Sequence, residues 1–361
     1  MVPDRPDSSQ PDLFRGNRSV PGFHTLRPWR RIMARCKSSP MGSPTDIDLL
    51  RELEPVAETN VNRHLGLAAE WMPHEYVPWS LGRDFDTTPW EPGQSALSEA
   101  AQIAFEVNLL TEDNLPSYHR EIAVAFGRDG AWGTWVGRWT AEEGRHAMAM
   151  RDYLLVTRAV DPVTLERDRM LQMQRGYDSG GKTPLEAMAY VSFQELATRV
   201  SHRNTGRVTG EPLAEKLLTR VAADENLHMI FYRNLVAAAL GLAPDRMVPV
   251  IRDEIVNFQM PGTGIRDFGR KARYIAQAGI YDLRIHHDDV VSPILRHWKL
   301  LDLEGLSGEA AKARDEIGEF MAGLDALATR QEEKKAAAQA RREAREGRDR
   351  QDRQDAAVPV G

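Results

Sequence analysis

Glu143-Gly-Arg-His146 and Glu225-Asn-Leu-His228 repeat one pattern, Glu-x-x-His, and none of the other eight histidines in this 361-residue sequence completes it. Residues three apart on a helix share a face, about 4.5 Å apart along the axis, so both side chains can reach one ion. Each pair has a single glutamate upstream at nearly the same distance. Glu112 lies 31 residues before Glu143, and Glu195 lies 30 before Glu225. Turn signals fall close to both midpoints, Gly127-Arg-Asp-Gly130 and the glycine-bearing stretch 205–210. Folding each segment into an antiparallel hairpin returns Glu143 to the level of Glu112 and Glu225 to the level of Glu195. A lone Glu-x-x-His is an ordinary helix-surface pair. Two copies with matched upstream glutamates and central turns predict a shared site.

Outward from these motifs the pattern is helical. Apolar residues recur every three or four positions from Asp46 onward, and alternating runs are scarce. A first helix is predicted over 97–125, bent at Pro116, and a second from about 130 to Arg158. Thr183 caps a third that runs to about Asn204, with Pro184 first and Glu186 completing a capping box. A fourth ends before Gly241, and further helices are expected at 245–258, 264–277 and 309–330. Residues 72–95 read as irregular. The fold class is therefore all-α: a four-helix bundle with additional helices, in which about 25 residues, 159–183, link the hairpins.

Four carboxylates and two imidazoles at mid-height match the ligand set of ferritin-like di-iron bundles, so the pattern is matched to a known one rather than derived anew. Their charge of −4 balances two divalent ions, and oxygen ligands can bridge metals. Burying such carboxylates without a metal costs several kcal/mol each, on the order of the ion desolvation penalty. Their neighbours Leu109, Leu110, Val191, Phe193, Val221 and Ala222 are apolar, as a buried site requires.

Composition narrows the alternatives. Hydrophobic content of 42% supports a core, and no apolar run is long enough to span a membrane. The single cysteine, Cys36, excludes a disulfide framework and cysteine-ligated iron–sulfur or zinc centres, and fits a reducing cytoplasm. Residues 1–45 are basic, with Arg/Lys outnumbering Asp, and no apolar core follows Arg30-Arg31 as an export signal would need. This segment reads as a disordered extension, or as an upstream start ahead of Met41. Residues 46–330 form the domain, and 331–361 a charged tail, disordered or a solvated helix. Gly176–Thr183 fits the phosphate-loop pattern G-x-x-x-x-G-K-T letter for letter. That loop needs a preceding buried strand. Residues 162–175 read instead as a polar helix, and Thr183 as a cap, so nucleotide binding is set aside.

Trp139-Thr-Ala-Glu-Glu-Gly-Arg-His146, Ser192-Phe-Gln-Glu-Leu-Ala-Thr198, Ala223-Asp-Glu-Asn-Leu-His228, Leu110-Thr-Glu-Asp-Asn-Leu-Pro116 and Ser201-His-Arg-Asn-Thr205 resemble signature segments of the soluble acyl-[acyl-carrier-protein] desaturases, their wording closest to the actinobacterial branch. The resemblance spans roughly 46–330. It implies a cytoplasmic homodimer that uses two iron ions (Fe2+) per chain, dioxygen and two electrons to place a cis double bond in an acyl chain carried on acyl carrier protein. A ferredoxin-type donor would supply the electrons, since no flavin, Rossmann or iron–sulfur motif is present. Iron rather than manganese also rests on the resemblance.

By position the resemblance makes Glu112, Glu143, His146, Glu195, Glu225 and His228 the metal ligands. It places Trp71 and Asp224 behind His146, where such a partner fixes the imidazole tautomer. Thr198 matches a hydroxyl near the oxygen site; the plain alternative is a threonine bonded back to its own helix. Arg266, Arg270, Lys271 and Arg273 are a candidate patch for the acidic carrier, against a solvated helix face. Trp132, Trp135, Met188 and Phe193 are candidates for an acyl tunnel, against plain core. Gly144 replaces the family's usual Asn, and Gly133 and Gly137 suggest close helix packing. Two other functions use the same residues: a ferroxidase or iron-binding protein, and an idle carrier-binding module. The length beyond four helices argues against the first, and the intact ligand set against the second. No nucleic-acid partner is expected.

Overall fold

The computed structural model describes residues 45–356, and the expectation for 1–45 falls on residues outside it except for Thr45. Among the described residues there is no strand. Thr45 caps α1 (Asp46–Leu67) through a reciprocal box with Asp48. A non-helical stretch with two single-turn helices, Pro73–Glu75 and Trp79–Leu81, leads to α2 (Glu99–Glu112), α3 (Leu115–Phe126), α4 (Gly130–Val156) and α5 (Pro162–Arg175). Then come α6 (Pro184–Thr209), α7 (Pro212–Leu242), α8 (Pro244–Val256) and α9 (Phe268–Gln277). A one-turn α10 (Leu283–Ile285) continues as a π-helical turn, His286–Val291, into α11 (Ser292–Trp298), and α12 spans Gly308–Ala356.

Helices α2, α4, α6 and α7 form the bundle: α2 lies against α4 and α6, and α7 lies against α6 and α4. Helix α1 covers α4 and α7, α3 covers α4 and α6, and α8 packs on α6, α7 and α12. The interior is closed by stacked aromatics, with Trp135 parallel to Phe231 at a centroid distance of 3.7 Å. Side chains of this size contribute about 1.5–3 kcal/mol each on burial.

Two boundaries differ from the sequence reading, each for a local reason. The predicted helix 97–125 is two helices. Pro116 has no N–H for the Glu112 carbonyl, so α2 stops at Glu112 and α3 restarts with Pro116 in its first turn. The break is anchored to α5, where Asp113 Oδ1 accepts from Arg169 Nη2 at 3.0 Å.

The predicted turn 205–210 is mostly helix. Gly206 lies inside α6 because α7 crosses there: a Cβ on it would sit 3.2 Å from Glu215 Cα and 3.3 Å from Leu218 Cβ. The chain reverses only at Gly210, which takes the left-handed conformation at φ 62°.

The close helix packing expected at Gly137 is absent, and the close approach at Gly133 is to its own chain. Gly137 has open space around its Cβ position, and Gly133 abuts the carbonyl of Arg128 at the start of its own helix.

The loop 176–183 follows a helix, α5, and Thr183 accepts from the Glu186 N–H as the cap of α6. Helix α12 continues beyond 330, and its side chains over 331–341 are all exposed.

Candidate metal centre

Each bundle helix brings its motif residues to one level. Glu112 ends α2, Glu143 and His146 lie mid-way along α4, Glu195 on α6, and Glu225 and His228 on α7. All six are buried, with 0% exposure for both histidines and 7% at most for the glutamates. Donor atoms of Glu112, Glu143, His146 and Glu225 lie within 4.8 Å of one another, as do those of Glu143, Glu195, Glu225 and His228. Glu143 and Glu225 belong to both groups. The arrangement is therefore two subsites sharing two carboxylates.

The distances give each atom a direction. His146 Nδ1 is 3.1 Å from Glu225 Oε1 and 3.5 Å from Glu143 Oε2. His228 Nδ1 is 2.8 Å from Glu143 Oε1 and 3.7 Å from Glu195 Oε2. The unshared glutamates are each tied by one oxygen. Glu112 Oε1 faces His202 Nε2 at 2.9 Å, and Glu195 Oε1 accepts from Trp139 Nε1 at 3.1 Å.

Behind the donor groups sit two further carboxylates. Asp224 Oδ2 faces His146 Nε2 at 3.4 Å and accepts from Trp71 Nε1 at 2.7 Å, the chain expected from the resemblance. Glu142 does the same for His228: its Oε2 lies 3.0 Å from His228 Nε2 and 2.8 Å from His64 Nε2. When each Nε2–H donates to its carboxylate, the Nδ1 lone pair is left pointing into the site. Glu142, His64, His202 and Trp139 were missed as site residues by sequence reasoning. A signal for Glu142 existed, because it precedes Glu143 just as Asp224 precedes Glu225.

Burial pushes carboxyl groups up, and the neighbours sort them. Glu225 stands well above the usual range because Glu143, Glu195 and Glu112 add to its burial. Glu143 is held low against burial by His146 and His228. Asp224 is held at about 2 against burial by His146 and Trp71. Glu142 is held well below the usual range against burial by His228 and His64.

Other candidates lie elsewhere. Thr198 Oγ1 donates to the Gln194 carbonyl at 2.9 Å and accepts from Gln194 Nε2 at 2.9 Å, the back-bonded form of the alternative. Trp132, Trp135, Met188 and Phe193 are core. Lys271 leaves the proposed carrier patch: it is buried and paired with Glu106 at 3.1 Å. Arg266, Arg270 and Arg273 stay exposed. A narrow cavity of about 60 Å³ reaches the site, and Glu112, Glu143 and Glu195 form part of its wall. Tyr118, Ile122, Tyr190 and Val191 line it too.

The sequence model of the fatty acid desaturases matches residues 45–346. The chain belongs to this family, among the acyl-[acyl-carrier-protein] desaturases. It is 50% identical over 292 residues to acyl-[acyl-carrier-protein] desaturase DesA1 of Mycobacterium tuberculosis, covering 78% of this chain and 86% of that one. The chloroplastic stearoyl-[acyl-carrier-protein] 9-desaturase of Gossypium hirsutum is 30% identical over 312 residues, covering 81% and 78%. The X-ray structure of DesA2 from Mycobacterium tuberculosis superposes with a TM-score of 0.59 at 33% identity, covering 74% of this chain and 98% of that one. The fold is all-α and ferritin-like.

The desaturase family is a di-iron one, and the residues here fit that group. His146 Nδ1, His228 Nδ1, Glu195 Oε2 and Glu225 Oε1 are buried without a hydrogen-bond partner. Unpartnered buried polar atoms are costly, on the order of 1–3 kcal/mol each. These four belong to the two donor groups, where cations would satisfy them. Among the described residues no helix is long and apolar enough to cross a membrane.

Proposed function

We propose that this desaturase inserts a cis double bond into a fatty acyl chain carried on acyl carrier protein, using dioxygen and two electrons from a ferredoxin-type donor. The observation that carries this reading is the cavity in whose wall Ile122, Trp139, Tyr190 and Val191 stand beside Glu112, Glu143 and Glu195. A ferroxidase needs an ion path, whereas this wall suits a hydrocarbon. Two ferrous ions, when bound, would activate dioxygen, the oxidant that breaks the unactivated C–H bonds. The acyl chain loses two hydrogens, and with two electrons and two protons the dioxygen leaves as two waters.

The chain's own residues set up that chemistry. Glu143 and Glu225, common to both donor groups, would be shared by the two ions. His146 and Glu112 complete one subsite, and His228 and Glu195 the other. His202 and Trp139 each hold one oxygen of an unshared glutamate, leaving the second free to ligate. Asp224 and Glu142 fix the imidazole tautomers. Ile122, Val191, Tyr118 and Tyr190 in the cavity wall exclude water from the reacting carbons and align the chain beside the carboxylates. Thr198 acts by orienting Gln194, which lines the cavity. The working enzyme is a cytoplasmic homodimer in this reading.

The test is a reaction of iron-loaded protein with stearoyl- and palmitoyl-carrier protein, ferredoxin, its reductase and NADPH, with products read by mass spectrometry. A mono-unsaturated product that vanishes in Glu143→Ala supports the proposal. Two bound irons with no product from either chain length would overturn it.

A further inference from the structure

Arg145 occupies a position that none of the chemistry above has used. Its Nη2 lies 3.6 Å from Glu142 Oε1 and 3.5 Å from Asp224 Oδ2, almost midway between the carboxylates that back the two histidines. That nitrogen is buried and makes no hydrogen bond. The rest of the guanidinium is fixed on the other side: Nη1 donates to the Trp71 carbonyl at 3.2 Å, and its carbon sits 4.9 Å from the Trp71 ring centroid. Two other arginines touch the same carboxylates, but one each. Arg138 pairs with Glu142 at 2.5 Å, and Arg220 pairs with Asp224.

We propose that Arg145 is a positioning residue for both metal subsites at once, holding Glu142 behind His228 and Asp224 behind His146 with one cation. This rests on the two-ion reading above and goes beyond it. The physical reason lies in the topology. Glu142 and Asp224 each back the histidine of the opposite helix, so α4 and α7 are cross-braced. Two buried carboxylates on facing helices repel, and each would relax away from its imidazole without a charge between them. A guanidinium on α4, one residue before His146, supplies that charge without displacing either histidine contact. Because the contacts at 3.5 and 3.6 Å are ionic rather than directional, charge matters more than fork geometry.

The contrast among the three arginines makes the proposal testable. Anaerobic titration with Co(II), followed by its visible absorption, counts the ions and gives the affinity of each equivalent. Arg145→Met keeps the stem over Trp71 and removes the charge; it is expected to weaken both equivalents, each by 10–100-fold. Arg138→Met and Arg220→Met are expected to weaken one equivalent and leave the other within twofold. Arg145→Lys is expected to bring both equivalents back toward the wild-type affinity. If Arg145→Met does not fold, as judged by circular dichroism of the apoprotein, Arg145→Gln takes its place. Loss of a single equivalent, loss of neither, or failure of lysine to rescue would overturn the proposal. Wild-type protein that binds fewer than two ions would instead overturn the two-ion reading on which it rests.

Discussion

Glu142 is the neighbour of Glu143 in sequence, yet it serves the other motif's histidine, with Oε2 3.0 Å from His228 Nε2. Asp224, next to Glu225, returns the favour to His146. The two Glu-x-x-His motifs are therefore not independent ligand pairs. Each helix supplies two members of the donor groups and a carboxylate behind its partner's histidine.

Glu142→Ala leaves both His64 and His228 without the oxygen they share. Iron retained after dialysis should fall, with affinity reduced 10–100-fold at the subsite of His228. Unchanged iron content in a folded variant would show that Glu142 plays no supporting part.

Lys182 lies in the segment that imitates a phosphate loop, but its Nζ contacts both oxygens of the buried Glu254 at 2.6 and 2.7 Å. Burial pushes the Glu254 carboxyl up even with Lys182 beside it. Lys182→Met should destabilise the protein by about 2 kcal/mol, because it leaves the buried Glu254 carboxyl without the charge beside it. Lys182→Met combined with Glu254→Leu should recover part of that loss. Chemical denaturation measures both, and ATP should alter the stability of neither variant nor the wild type.

The glycines separate cleanly. Gly137 is exposed in α4 with nothing near its Cβ position, so Gly137→Ala should stabilise by up to about 1 kcal/mol. Gly206 lies against the α7 backbone, so Gly206→Val should destabilise by about 1–3 kcal/mol through overpacking. Thermal unfolding of the two variants should move in opposite directions.

His286, in the π-helical turn, stacks against Phe258 at 5.1 Å and meets the Tyr281 hydroxyl at 2.9 Å through Nδ1. Burial, with His287 adding to it, lowers its pKa from 6.5 to about 4. Between those values the unfolded chain holds the extra proton, so stability rises with pH across the window and falls as pH drops from 6.5 toward 4. This group should account for on the order of 2 kcal/mol of acid destabilisation. His286→Asn should show a shallower loss between pH 7 and pH 5 in urea titrations; an equal slope would remove His286 as the cause.

Much of this was written in the sequence because helix periodicity carries it. Glu112, Glu143, His146, Glu195, Glu225 and His228 are set by spacing within a helix and by mirrored distances between helices. The structure brings them together although α2 breaks at Glu112, since the break falls after the ligand. What the spacing could not carry was which helix faces which. His64 supports His228 only because α1 lies over α4 and α7, and His202 reaches Glu112 only because α6 crosses α2. Gly206 looked like a turn because a glycine at a crossing and a glycine at a reversal are the same letter. Lys271 looked exposed by helical spacing, but α9 turns it toward Glu106 on α2.

The central proposal is that the two donor groups sharing Glu143 and Glu225 would hold two irons in one cluster. Anaerobic loading with 57Fe(II), followed by oxidation and Mössbauer spectroscopy, tests it most directly. The account predicts two irons per chain with the diamagnetic ground state of a coupled ferric pair, lost in Glu143→Ala. One iron per chain, or two magnetically independent ions, would contradict it.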